Sequence, residues 1–240
     1  IFSDASSKIV YTALNAPIRP FPYPHFYAED ALSPDTVALL REARPGLEAF
    51  RSITETGRVK DDESAYRNRS VITLTRESAA EFPGKSREVW QEVHKHLSGN
   101  DFVLPVLQKF DPWLRQRFGD RLPQVSFRPD IQIVTDRSRY SLGPHTDHPS
   151  KVAVLLFYLP GDGSCPELGT SIYQPREAGF VCQGGPHYAH DRFRRLFTAP
   201  YLPGALLGFL KTANSFHGVE PVPDDVPEPF LIQYSMKVES

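Results

Sequence analysis

The chain has 240 residues, with 27 Lys and Arg against 29 Asp and Glu, a formal net charge of −2, and 23 prolines. Proline at about twice its usual share excludes an all-helical bundle, because proline breaks helix interiors, and an apolar content of 40% excludes general disorder. The near-neutral balance gives no global pull toward duplex nucleic acid or anionic membrane, and the longest apolar run, Val152–Leu159, has the length of a strand rather than of a membrane span of ~20 residues.

In chain order, residues 15–27 (NAPIRPFPYPHFY) alternate proline with aromatics and read as an extended segment over an apolar surface. Ser33-Pro34-Asp35 reads as a helix start, with a cap, proline at the first helical position and an acid in the first turn. That helix should end near Pro45-Gly46. Residues 54–70 are polar and charged and read as a surface loop, followed by a short strand over Val71–Thr75. Ser86–Leu97 places Val89, Trp90, Val93 and Leu97 on one helical face. Val103–Phe118 is a second helical stretch, with Pro105 in its first turn and a break at Pro112.

From about residue 125, proline and glycine punctuate short apolar runs. Asp130–Thr135, Val152–Leu159, Thr170–Gln174, Ala205–Leu210 and Phe230–Val238 are the expected strands. Val152–Leu159 is apolar on both faces, whereas Phe230–Val238 alternates, with Gln233, Ser235 and Lys237 on its polar side. Residues 175–200 form a long insertion between strands. The expected fold class is α+β, mainly β. One domain spans 1–240, with 1–124 as mainly helical support and 125–240 as a β-sandwich or barrel. Cys165 and Cys182 cannot make a disulfide framework and read as free thiols of a reducing compartment. With no secretory signal visible, the expected location is cytoplasmic.

The strongest chemical signal is Gly143-Pro144-His145-Thr146-Asp147. In extended chain, residues i and i+2 point to the same side, so His145 and Asp147 aim an imidazole and a carboxylate at one point. Ser215-Phe216-His217-Gly218-Val219 offers a third ligand from another strand. Two imidazoles and one carboxylate with open positions suit non-haem Fe(II) oxygen chemistry. Cys165, Cys182, His187 and His190 match no standard zinc spacing, and the insertion reads better as a lid whose Arg192, Arg194 and Arg195 meet an anionic substrate. His148 should point away from the metal motif, Tyr173 lies on a barrel strand, and Asn214 and Ser215 abut the distal ligand. His25, His94 and His96 fall on support segments and carry no catalytic expectation.

These motifs resemble the Fe(II)- and 2-oxoglutarate-dependent oxygenases of the prolyl-hydroxylase-like kind. The resemblance rests on GPHTDH (143–148), VAVLLFYL (152–159), LGTSIY (168–173) and PGALLGFLKTANSFHGVEPV (203–222), and covers roughly residues 125–238. It implies a double-stranded β-helix (jelly-roll, cupin-like) core with flanking N-terminal helices. It also implies His145, Asp147 and His217 as ligands of Fe(II), with 2-oxoglutarate and O2 as co-substrates in the hydroxylation of a C–H bond. The substrate that it implies is a small molecule, a sugar or a protein side chain. Asp147 separates the chain from halogenating relatives, which carry a small residue there.

The chain departs from the family at one place. Members often bind the distal carboxylate of 2-oxoglutarate with Arg-x-Ser or Arg-x-Thr on the strand after the distal histidine. The matching place here is Gln233-Tyr234-Ser235, and no arginine follows His217. Lys151 is the first alternative cation, then Arg128 and Lys237, with Thr170 as a further co-substrate contact. The departure keeps two other readings open: a cupin-like metalloenzyme that does not use 2-oxoglutarate, and a non-catalytic binding module on the same fold.

Overall fold

The computed structural model describes residues 2–57, 66, 68–137, 139–224, 226 and 228–239. Its helices are α1 (Phe2–Asn15), α2 (Pro34–Glu42), α3 (Arg76–Ala80), α4 (Gly84–Ser98), α5 (Asn100–Lys109) and α6 (Asp111–Phe118). The strands are β1 (His25–Ala28), β2 (Arg51–Ser52), β3 (Arg69–Leu74), β4 (Phe127–Asp136), β5 (Leu142–His145) and β6 (Lys151–Tyr158). They continue with β7 (Thr170–Pro175), β8 (Phe193–Thr198), β9 (Leu206–Leu210), β10 (His217–Val219) and β11 (Phe230–Val238). No helix among the described residues is long and apolar enough to cross a membrane.

The strands form two antiparallel sheets, one of seven strands in the order β1-β9-β6-β11-β4-β3-β2 and one of four in the order β5-β10-β7-β8. The large sheet is covered on both faces. Toward the helices, Ile131, Ile133, Leu155, Phe157, Ile232, Tyr234 and Met236 join one apolar cluster with Trp90, Val93, Leu97 and Phe102. Toward the small sheet, Val134, Val154, Leu156, Leu207, Phe209 and Leu231 join another with Leu142, Leu168, Ile172 and Val219. This double cover is why β6 is apolar on both faces from Val152 to Tyr158. Each fully buried side chain of this kind is worth roughly 1.5–3 kcal/mol against exposure. Trp90 also satisfies its indole N–H, which donates to Ala43 O at 2.7 Å.

Local chemistry accounts for most boundaries. Ser33 caps α2 by accepting from Thr36 N at 3.2 Å. The helical stretch expected over 103–118 divides at Phe110, with Pro112 in the first turn of α6. It begins three residues earlier than expected, which puts Pro105 inside α5 rather than in its first turn. α1 was not expected, because its buried stripe consists of Ala5, Ile9 and Ala13, two of them small. The insertion is shorter than 175–200: Phe193–Thr198 is an edge strand paired with β7. Within the polar segment 54–70, residues 58–65 and 67 lie outside the described residues. Both cysteines are free.

Candidate metal centre

The small sheet brings the metal motifs together. β5 and β10 are antiparallel neighbours, with His217 directly opposite His145, and their rings lie 4.4 Å apart between centroids. β5 ends at His145, and Asp147 stands two residues on, with its Oδ2 3.6 Å from His217 Nε2. One ligand atom from each of His145, Asp147 and His217 lies within 4.8 Å of the others, and no further such group occurs among the described residues. Close packing of β5 against β10 and against the insertion depends on glycine. A Cβ at Gly218 would meet Leu142 O at 2.3 Å, and one at Gly143 would meet Tyr188 O at 2.5 Å.

The donor atoms are prepared chemically as well as geometrically. His145 Nδ1 lies 3.0 Å from Gly143 O, and His217 Nδ1 lies 3.0 Å from Ser215 O. A carbonyl only accepts, so each Nδ1 carries the proton and donates, and each Nε2 keeps its lone pair. Burial pushes both imidazoles below their ordinary pKa; for His145 the neighbouring His217 and His187 push further down. Burial alone would raise the Asp147 carboxyl, but Lys151, then His217 and His145, outweigh it and hold the group well below the usual carboxylate range. Asp147 Oδ1 accepts from Lys151 Nζ at 2.6 Å, whereas Oδ2 is buried and has no hydrogen-bond partner. Two unprotonated imidazole nitrogens and one orphaned carboxylate oxygen fit a divalent first-row ion, in the 2-His-1-carboxylate set that leaves positions open for other ligands.

The insertion crosses this centre. Thr146 Oγ1 donates to Cys182 O at 2.8 Å, Cys182 N donates to Ala213 O at 2.7 Å, and Tyr188 N donates to Pro144 O at 3.0 Å. Phe180 stacks on Phe216 at 5.6 Å, next to the distal ligand. The His187 ring lies 4.6 Å from that of His145, and its Nε2 is 2.7 Å from Tyr66 Oη. His187 is thus a neighbour of the metal set and not a member of it.

The chain has the fold of prolyl hydroxylases. It is similar to a Pseudomonas putida prolyl-4-hydroxylase at a TM-score of 0.53 and 13% identity, over 98% of this chain and 100% of that one. A Trichoplax adhaerens prolyl hydroxylase, solved with a hypoxia inducible factor peptide fragment, gives 0.50 and 12% over 98% and 91%. The epimerase SnoN, solved with Fe3+, alpha ketoglutarate and nogalamycin RO, gives 0.51 and 12% over 98% and 84%. No family model matches the sequence, and no curated protein matches it.

The residues expected to contact the co-substrate divide into three groups. Gln233 and Ser235 lie on the face of β11 that carries Leu231 toward the small sheet. Gln233 Nε2 donates to Gln132 Oε1 at 3.2 Å, and Ser235 Oγ is buried without a partner. Lys151 is engaged with Asp147, and Lys237 is engaged with Asp130 at 2.5 Å. Arg128 is exposed, and Thr170 is buried at the start of β7, its N–H donating to Tyr158 Oη at 3.1 Å. Of the three arginines, Arg192 pairs with Glu177 and lies over Phe180, Arg195 pairs with Glu220, and Arg194 shows no ion pair among the described residues. His148 is exposed beside Ser150, as its odd position required.

Two residues of this region escaped the sequence reading. Gln132 sits on β4 directly opposite Gln233, with its Nε2 buried and unpartnered. Lys211 is 4% exposed just past the end of β9. The alternation of β4 was a usable signal for Gln132; Lys211 had none, because it lies beyond the apolar run.

Proposed function

We propose that residues 1–240 form one non-haem Fe(II)- and 2-oxoglutarate-dependent dioxygenase domain with a double-stranded β-helix core, which hydroxylates a C–H bond of a small molecule, a sugar or a protein side chain. The observation that carries this reading is the orphaned Oδ2 of Asp147, facing a metal set whose other two members are tautomerically fixed imidazoles. His145, Asp147 and His217 would hold the iron. Iron bound there supplies the redox chemistry that couples O2 and 2-oxoglutarate to oxidation of the substrate.

The chain's own residues have separable tasks in this reading. Gly143 O and Ser215 O hold the imidazole protons away from the metal. Lys151 keeps Asp147 ionised and is the proposed cation for 2-oxoglutarate, with Ser235, Gln233 and Thr170 as hydrogen-bonding partners. Gln132, whose amide N–H2 has an unmet donor, joins them. The insertion excludes water from the centre, and Arg194 of the edge strand β8 is free to meet an anionic substrate. The absence of arginine from the inner face of β11 favours one second reading, a metalloenzyme on this fold that takes a different co-substrate.

Anaerobic titration with Mn(II) or Fe(II), followed by assay of succinate formed from 2-oxoglutarate, tests the proposal. Tight binding, lost by more than about a hundredfold in Asp147→Ala, and succinate production dependent on Fe(II) are expected. Tight metal binding without succinate would favour the second reading. Equally weak binding by the intact protein and by His145→Ala would reduce the chain to a non-catalytic module.

A further inference from the structure

A cavity of about 260 Å³ opens between the end of α2 and the loop that follows β6. It is far from the metal set. β6 begins at Lys151, which pairs with Asp147, and its 8 residues span about 23 Å from there to Tyr158. Pro160 and Gly161, just beyond that far end, form part of the cavity wall. The volume suits a ligand below drug size, and Leu168 and Tyr201, both buried, supply an apolar surface for it.

Two guanidinium groups line the cavity, Arg41 from the last turn of α2 and Arg44 just past its end. Each carries five N–H donors, and few of the ten are used. Arg41 is exposed at the rim. Its Nη1 donates to Leu159 O at 2.7 Å, and its Nε and Nη2 have no hydrogen-bond partner among the described residues. Its guanidinium lies flat against Gly161, where an added Cβ would meet Nη2 at 3.1 Å and Cζ at 3.5 Å. Arg44 is half-buried, with its guanidinium carbon 4.9 Å from the centroid of the Phe230 ring. Its Nη2 donates to Thr135 Oγ1 at 2.8 Å, and its Nε is buried without a partner. Aromatic contact fixes this cation but does not satisfy its donors, and an under-satisfied guanidinium gains from an anion at its open edge.

One group of the chain already shows what this edge accepts. Glu228 Oε2 lies 3.3 Å from Arg44 Nη2 and 3.5 Å from Thr135 Oγ1, where a well-made charge-assisted bond is about 2.7–2.9 Å. Its side chain is 39% exposed, so water competes for it. Glu228 is a loosely held carboxylate that a better-placed anion can displace. Asp162, the other acid on the wall, is exposed and accepts from Ser164 N at 2.9 Å. We propose that this cavity is a second ligand site, which takes an oxyanion, the carboxylate or phosphate of a small molecule, between Arg41 and Arg44 in competition with Glu228. The site is independent of the metal and of the function proposed above.

Calorimetry on the metal-free chain at fixed ionic strength, with inorganic phosphate and with succinate as probes, tests this. Arg44→Met keeps the apolar contact with Phe230 and removes the charge; Arg41→Met and Glu228→Gln change exposed side chains, so their folds survive even where Arg44→Met does not. Each arginine variant should lose about ten- to a hundredfold in affinity for the probe that binds. Glu228→Gln should instead gain about two- to fivefold, because the internal competitor is gone. That gain is the diagnostic result, since an ion pair that only braced the fold would give none. Binding of phosphate alone assigns a phosphate ligand, and binding of succinate alone assigns a carboxylate. No binding of either probe by the intact protein, affinities within about twofold in the arginine variants, or a loss in Glu228→Gln would overturn the site.

Discussion

Lys151 and a metal ion would draw on the two oxygens of one carboxylate. Lys151 holds Oδ1 at 2.6 Å, and Oδ2 is left to the imidazoles. The two side chains of this pair are 15% and 11% exposed, so water offers little substitute for either charge. Removing one partner of a buried pair costs about 3–5 kcal/mol, mainly through the charge left behind. Lys151→Met should therefore lower the melting temperature of the metal-free protein, and Mn(II) should restore most of the loss by supplying a new cation to Asp147. Thermal unfolding with and without Mn(II) measures both, and an equal deficit under the two conditions would separate Lys151 from the metal. Ser235 presents the opposite case. Its hydroxyl is buried without a partner, so Ser235→Ala removes a desolvation penalty and should hold or raise stability by about 1 kcal/mol. The same variant should weaken 2-oxoglutarate binding to the Mn(II) protein, because the alanine has nothing to offer the ligand. Urea unfolding and calorimetry would show stability and affinity moving in different directions.

At the scale of the elements, the distance between the two imidazoles is the spacing of β5 and β10, and that spacing rests on Gly218. An added methyl would lie 2.3 Å from Leu142 O, a backbone atom with no freedom to turn aside. Gly218→Ala should force the strands apart at the point where His217 faces His145. We expect a stability cost of about 1–3 kcal/mol, as for other overpacked sites, and a larger proportional loss in Mn(II) affinity. Retention of full metal affinity would show that the strands move together and that the side chains compensate. This dependence also explains what was legible in the sequence. The i, i+2 spacing of His145 and Asp147 and the glycine after His217 are local, and they carried the metal set. The alternation of β4 marks Gln132 as facing the same way as its strand's other polar residues, but its place opposite Gln233 comes from the register, a pairing between strands about a hundred residues apart. β8 was hidden because Arg194 and Arg195 give an exposed edge strand the texture of a loop.

The whole molecule couples this centre to pH. His145 and His217 are held neutral by burial, so their folded pKa values lie below the ordinary value. An unfolded histidine takes up its proton near pH 6.5. Below that point the unfolded chain binds more protons than the folded one, and stability must fall as the pH falls. Each of the two rings adds a slope of about 1.4 kcal/mol per pH unit until its folded pKa is reached. Asp147 has the same sign in a lower window. Its depressed pKa contributes stability that is complete above about pH 4 and is lost as the pH falls through the folded value. Between pH 7.5 and 5.5, therefore, the histidines act alone within this set, and together with His25 and His94, which burial also depresses, they should make the metal-free protein less stable to urea as the pH falls. His217→Gln should reduce that loss without abolishing it. Mn(II) binds the unprotonated donors and adds about 2.7 kcal/mol at a hundred times its dissociation constant. Its stabilisation should accordingly be largest at pH 7.5 and shrink at pH 5.5, since unfolded histidines and an acidified centre both compete with it. A stability that stays flat across this window would mean that the two rings already carry protons in the folded chain, and an Nε2 that holds a proton cannot hold a metal.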